Sequence, residues 1–419
     1  MQAPPPVDAV EFAAVMDRLG PFELHPLVAV AVSGGPDSMA AALLTSEWAK
    51  ARGGAIRALI VDHGLRTESA AEAALVATWV ASLGIAAVVL RIDDLKRGPA
   101  LAERARMARH GALEAACAAH GIVHLVFGHH ANDQAETVVM RMLRQSQAPG
   151  LAAMAALTEG HQVRKLRPCL GMLPERLRAT LLMQDVPWVD DPSNSDHKAL
   201  RPRLRAGRAR ALSATHNTRA LVTASVLRGR QRATHEAAWQ DELARKVTVS
   251  PLGYALLEAG SIAPQALANL LGAIGGGMRP PALSQVGSIA ANLRPGTLAG
   301  VRIMPAGRLG SGWLLLREAA AMQGAIPALP QTLWDGRFRL IGVPAACHDR
   351  PDVTIAAWDN DAPRGHDLPN VVLRTLPVLR ARGMLIATTW ELFEGEPPHI
   401  VSAPFFPAAT APFFPLPTG

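Results

Sequence analysis

Between residues 27 and 145 short apolar runs alternate with longer helical stretches, and this alternation limits the fold more than any other feature. Residues 27–32 (LVAVAV), 55–62, 85–92 and 122–128 read as strands. Residues 39–51, 68–83, 100–120 and 133–145 read as the helices between and after them. Strands that are apolar on both sides belong inside a sheet covered on both faces. Strand–helix repeats of this kind give an α/β fold with a doubly wound parallel sheet. Ligands of such sheets sit beyond the carboxyl ends of the strands, so the residues after each strand are where chemistry is expected.

The first strand runs into Ser33, Gly34, Gly35, Pro36, Asp37 and Ser38, and a helix follows. Glycines let the backbone turn tightly and approach a ligand, and a helix start offers free N–H groups and a positive dipole end. The stretch is therefore a candidate anion cradle. It has neither the lysine of a Walker loop nor the spacing of a dinucleotide fingerprint, so hydroxyls and backbone N–H groups would do the binding. Asp37 would repel phosphate unless it caps the helix or holds a metal that phosphate shares. The competing reading is a Gly-Pro turn with Ser38 as N-cap.

Two polar clusters follow later strands. Asp62, His63, Gly64 and Arg66 come after the second strand, and His129, His130, Asn132, Asp133, Gln134, Glu136 and Thr137 after the fourth. Asp133 and Glu136, at i and i+3, share one helix face. They suit either capping or binding of Mg²⁺ or a substrate amine. Adjacent histidines at a strand end point to opposite sides, so only one of His129 and His130 faces the site, and zinc is not expected.

The rest of the chain is less regular. Residues 7–19 form an amphipathic helix, 166–170 close a last strand, 175–183 form a helix and 189–194 a loop. Residues 198–210 carry Lys198, Arg201, Arg203, Arg205, Arg208 and Arg210 with no acid. From 211 to 291 the pattern is mostly helical, and from 295 short strands alternate with glycine and proline turns. The tail repeats APFFP at 403–407 and 411–415. The expected domains are 1–205, catalytic; 206–295, helical; and 296–419, small and β-rich with a proline-rich tail. A net charge of +7 favours a polyanionic partner. Cys117, Cys169 and Cys347 are far apart and form no C-x-x-C, which argues against a disulfide framework, a thiolate zinc site or a cluster and fits a reducing cytosol. With no leader pattern and no long apolar run, the expected location is the cytoplasm, with no membrane partner.

Taken together and in order, SGGPDS, VDHGLR, GHHANDQAET, PGLAAM, RPCL and DPSN resemble the tRNA(Ile)-lysidine synthetase family of PP-loop ATP pyrophosphatases over residues 8–205. A weaker likeness continues through LREAA (316–320) and LWDGRF (333–338). The resemblance implies a ligase that uses ATP and Mg²⁺ to join free L-lysine to the cytidine at the first anticodon position of a CAU-anticodon tRNA(Ile), giving lysidine. Residues 33–38 would hold ATP, together with His63, Arg66 and His129. Asp37 would help bind Mg²⁺. Asp133 and Glu136 would sit near lysine or the metal, with Arg201 and Arg205 as further catalytic groups. Arg106 and Arg109 would meet the substrate, and the later domains would grip tRNA.

The chain departs from the family pattern at Asn132 (usually Asp), at 144–147 (usually R-G-S-G), at His110 (usually Tyr) and at Arg201-Pro202 (usually Arg-Asn). Rival readings are a tRNA thiolase, which would need partnered cysteines; a small-molecule adenylating enzyme; and a tRNA-binding relic. The assembly state is open between monomer and homodimer.

Overall fold

The computed structural model describes residues 4–64, 68–92, 98, 101–144, 148–160, 163–189, 214–277, 280–344, 347, 350–363, 367–394 and 399–402. The chain divides into two compact units, Met1–His235 and Glu236–Pro407.

The first unit is built on a six-stranded sheet. Its strands are β1 (Leu27–Val32), β2 (Ala55–Asp62), β3 (Ala86–Arg91), β4 (His124–Phe127), β5 (Leu157–Glu159) and β6 (Arg164–Leu166), in the order β3-β2-β1-β4-β6-β5. All neighbours run parallel except the β5 edge. The helices are α1 (Ala9–Arg18), α2 (Pro36–Lys50), α3 (Ser69–Ser82), α4 (Leu101–Ala119), α5 (Ala131–Leu143), α6 (Ala148–Leu151) and α7 (Pro174–Met183). Alternate residues of β1 feed two cores, as the two-residue period of a strand requires. Val28, Val30 and Val32 join side chains of α1, α2, α3 and α7, while Ala29 joins Leu113 and Cys117 of α4 with Leu125 and Phe127 of β4. The sheet is thus covered on both faces, which is why β1 is apolar throughout.

Chain order reverses beside β1, which has β2 on one side and β4 on the other. Such a switch point opens a crevice between the two outgoing loops. Here those loops are 33–35 after β1 and 128–130 after β4. Two local details differ from the sequence reading. The last strand ends at Leu166, because Pro168 starts a 3₁₀ turn through Gly171. The short edge strand β5 has no sequence signature long enough to recognise.

In the second unit, β7 (Val247–Val249) and β8 (Ala255–Leu257) follow α8 (Ala214–Lys246), a helix that begins in the first unit. Next come α9 (Pro264–Ile274), α10 (Leu283–Ala291), β9 (Gly296–Leu298), β10 (Val301–Pro305) and β11 (Trp313–Arg317). These strands form one antiparallel sheet in the order β7-β8-β11-β10-β9, with α9 and α10 in its core. The segment expected to be helical up to 295 therefore contributes β7 and β8 to the sheet that β9 to β11 complete. The reason is length: three-residue strands carry too little alternation to stand out from flanking helices.

Two smaller sheets follow, β12-β15-β16-β17 and β13-β14-β18, from β12 (Ile326–Pro327), β13 (Leu333–Trp334), β14 (Phe338–Leu340), β15 (Val353–Ala357), β16 (Pro377–Ala381), β17 (Met384–Ala387) and β18 (Ile400–Ser402). The expected boundary at 205 and the APFFP repeats lie outside the described residues. No helix among the described residues is long and apolar enough to cross a membrane.

Candidate functional site

The loop after β1 is shaped by close packing. Gly34 has φ +83, and a Cβ there would lie 2.5 Å from Val76 Cγ2, so the turn needs glycine on both grounds. Gly35 occupies the N-cap position of α2 and Pro36 its first turn, an arrangement suited to proline's fixed φ and missing N–H. Ser38 lies inside the helix and does not cap it. Its Oγ accepts from Ser33 N at 3.1 Å, donates to the Gly35 carbonyl at 3.0 Å and lies 3.2 Å from Ser33 Oγ. The two serines thereby hold the loop closed on itself.

Asp37 lies in the first turn of α2, whose N-cap has no side-chain hydrogen bond among the described residues. Its Oδ1 is buried without a hydrogen-bond partner among the described residues, and its Oδ2 is 3.4 Å from His130 Nε2. The contact depends on Gly128, where a Cβ would fall 2.6 Å from the Asp37 carbonyl oxygen and 2.9 Å from Ser38 Cα. The end of β4 can approach the loop only because residue 128 has no side chain.

His130 joins the loop to α5. Its Nδ1 accepts from Asn132 N at 3.2 Å, and its own N–H donates to Asp133 Oδ2 at 3.1 Å, a reciprocal cap at the start of α5. Because Nδ1 accepts, the neutral ring carries its proton on Nε2. That atom lies 3.4 Å from Asp37 Oδ2 and 3.6 Å from Asp133 Oδ2. Asp133 therefore caps the helix and also stands one imidazole away from the carboxylate of the 33–38 loop.

Glu136 is 1% exposed on the same helix. Gln134 holds the segment after α6 at Met154 through both ends of its amide, at 2.8 Å to Met154 O and 2.8 Å to Met154 N. Arg141 adds bonds to the Gly150 and Ala153 carbonyls. Asn132, one of the departures from the family pattern, accepts from Thr218 Oγ1 of α8 at 3.3 Å.

A second group gathers near the ends of β2, β4 and β6. Asp62 accepts from Ser69 Oγ at 2.6 Å and Gly64 N at 2.9 Å, and these bonds lower its pKa despite some burial. His63, whose pKa is lowered by burial and then by Arg109, has a buried Nδ1 with no hydrogen-bond partner among the described residues. His129 packs 5.8 Å from the Phe127 ring and His110 5.3 Å from it. Burial, reinforced by Lys165 and arginines at His110 and by Arg167 at His129, pushes His110 down to about 4 and His129 to about 3. Arg106 is exposed and Arg109 half-buried on α4, and both act on these histidines together with Arg167.

The structure thus brings Asp37, Asp133 and residues 33–38 together, with Glu136 on the same helix. His63, Arg106, Arg109 and His129 form the second group. Arg66, Arg201 and Arg205 lie outside the described residues. Of the adjacent histidines, His130 faces the loop and His129 the arginines, a choice that strand geometry leaves open. Arg167 was legible only as part of RPCL.

Among the described residues no three acids, histidines or cysteines group as a metal cage. The unpartnered Oδ1 of Asp37 at the loop fits Mg²⁺, which typically takes one or two carboxylates and completes its shell with phosphate and water. The described cysteines Cys117, Cys169 and Cys347 are free and buried, and burial raises the thiol pKa of Cys117 to about 12.

Residues 10–211 match the family model described as the PP-loop domain. The chain is 43% identical over 197 residues to the tRNA(Ile)-lysidine synthase of Bradyrhizobium sp., covering 46% of this chain and 55% of that one, about half the relative's length. It is 34% identical over 328 residues to the enzyme of the same name from Ruegeria pomeroyi (75% of this chain, 76% of that one). With that of Mesorhizobium japonicum it shares 38% over 334 residues (75% and 72%). With about three quarters of both chains aligned in two of these comparisons, the chain belongs to the tRNA(Ile)-lysidine synthase family.

Proposed function

We propose that the protein joins the ε-amine of free lysine to C2 of the cytidine at the first anticodon position of a CAU-anticodon tRNA(Ile), using ATP. The observation that supports this reading is the link from Asp37 through His130 to Asp133, an acid at the start of α5. A cytosine C2 oxygen is a poor leaving group. Attack of that oxygen on the α-phosphorus of ATP releases pyrophosphate and leaves the oxygen bonded to AMP. The lysine nitrogen then bonds to C2, the C2–O bond breaks, and AMP departs with the electron pair.

Residues 33–38 hold the phosphates through backbone N–H groups and hydroxyls, with His63, Arg66 and His129 toward the nucleotide. Asp37 holds Mg²⁺, which when bound offsets the charge of the leaving pyrophosphate. Asp133 and Glu136 orient the amine, and one of them accepts its proton. Arg106, Arg109, Arg201 and Arg205 meet the RNA and the activated base. Fixing three substrates together supplies much of the rate. Such a reaction belongs in the cytoplasm, where tRNA and ATP meet.

The test is incorporation of labelled lysine into a CAU-anticodon tRNA(Ile) transcript. Incorporation should require ATP and Mg²⁺ and release one pyrophosphate per lysine. No incorporation by folded protein, or incorporation without ATP, refutes the reading.

A further inference from the structure

The carboxyl edge of the sheet holds a half-buried cation that the proposed reaction leaves without a task. Arg167 follows β6 directly. Both of its hydrogen bonds come from Nη1, to the Ala155 carbonyl at 3.0 Å and Thr158 Oγ1 at 3.1 Å. Its Nε is buried with no partner among the described residues, and no carboxylate among them pairs with the guanidinium. Burial, and after it the neighbouring cation Arg106, lowers the Arg167 pKa to about 10. A guanidinium nitrogen buried without a partner carries a desolvation cost that an anionic ligand would offset. The free edge, Nε with Nη2, is the one that takes two oxygens of a phosphate or carboxylate side by side.

The surroundings point the same way. The guanidinium carbon lies 5.8 Å from the centroid of Phe127, whose ring also contacts His110 and His129. The Nδ1 atoms of His63, His110 and His129 are all buried with no hydrogen-bond partner among the described residues. Arg106 and Arg109 act on both His110 and His129, as does Arg167 itself. This is a positive cluster with unpartnered polar atoms at the carboxyl edge of the sheet. β6 stands two strands from β1, roughly 10 Å at the usual strand spacing, so Arg167 stands apart from the loop at 33–38.

We propose that Arg167 is a further substrate-binding residue, gripping a phosphate group through its Nε–Nη2 edge, with Arg106 and Arg109 supplying the rest of the positive charge. The inference rests on the proposed reaction for its ligands. Two substrates of that reaction carry phosphate, the nucleotide and the RNA backbone, and binding measurements tell them apart.

The experiment measures the affinities of wild type, Arg167→Gln, Arg167→Lys and Thr158→Val for ATP and, separately, for the CAU-anticodon tRNA(Ile) transcript, with thermal unfolding of each protein alongside. Arg167→Gln should weaken one ligand by ~10-fold or more, since a charge-assisted two-pronged bond is lost. Arg167→Lys should recover part of the loss. Thr158→Val removes a partner of Nη1 but keeps the cation, and should bind both ligands as wild type does. Loss confined to ATP assigns the phosphate to the nucleotide, and loss confined to tRNA assigns it to the backbone. Wild-type affinity for both ligands in a folded Arg167→Gln overturns the proposal, as does an equal loss in Thr158→Val, which would mean Arg167 only holds the 155–158 segment. Should Arg167→Gln fail to fold, Arg167→Lys decides, because unchanged binding of both ligands without the fork is equally fatal. If wild type incorporates lysine while the variants bind normally, this inference alone falls. If wild type incorporates none, the reaction falls, and the ATP and tRNA affinities still judge Arg167.

Discussion

Asp133 shows how one side chain can serve structure and chemistry together. It accepts the His130 N–H in the cap of α5 and stands 3.6 Å from His130 Nε2, across from Asp37. The sequence offered capping and catalysis as alternatives, and the geometry makes them compatible. Asp133→Asn separates them, since an amide oxygen still accepts the capping bond. Stability should change by less than about 1 kcal/mol. Lysine incorporation should fall by roughly 10²-fold or more if the carboxylate takes the amine's proton, while tRNA affinity holds. Equal loss of unfolding temperature and activity would reduce Asp133 to a cap.

A second prediction at this scale concerns pH. His110 and His129 sit at about 4 and about 3 in the folded protein, against an ordinary 6.5. The unfolded chain therefore binds more protons between these values, and stability rises with pH across that window. Their contribution is complete above about 6.5 and is lost as pH falls toward the folded values. The unfolding temperature should drop between pH 7 and pH 4.5, and His110→Tyr should make that slope shallower.

At the scale of elements, the site exists because β4 ends against the start of α2. A helix start and a strand end can meet this closely only where one of them lacks a side chain, and Gly128 is that position. Gly128→Ala should push the 33–38 loop away from its place, at a cost of about 1–3 kcal/mol of strain. ATP affinity should fall by roughly tenfold or more while the far-ultraviolet spectrum is kept. Wild-type ATP affinity would mean the loop relaxes freely. α5 is the other organising element. It carries the acids, and through Gln134 and Arg141 it also holds the turn after α6 at Ala153 and Met154, so the sequence order of GHHANDQAET and PGLAAM reflects one assembled corner of the unit.

At the scale of the molecule, the second unit has its own buried ionic centre. Asp335 takes bonds from Arg317 Nε at 3.0 Å and Arg337 Nε at 2.8 Å, and Arg337 reaches the Gly253 and Thr375 carbonyls. The two stretches with the weaker family likeness, 316–320 and 333–338, thus meet at one carboxylate that ties β11 to the β13–β14 hairpin. Asp335→Ala would strand two guanidinium groups, one of them 1% exposed. It should destabilise the protein by about 3–5 kcal/mol, seen as an earlier transition in chemical denaturation. A midpoint unchanged from wild type would show the charges to be solvated.

The sequence by itself determined the parallel sheet, its first four strands and the loop at 33–38, because long apolar runs and glycine turns act locally. It also marked Asp37, Asp133 and Glu136, since strand ends in such sheets are where ligands bind. Only the tertiary structure decided that His130 and not His129 faces Asp37, that Arg167 has an unused edge, and that β7 and β8 complete a sheet with strands far along the chain. Each of these depends on which side chains meet across sequence-distant elements, and that is set by packing and not by any local periodicity.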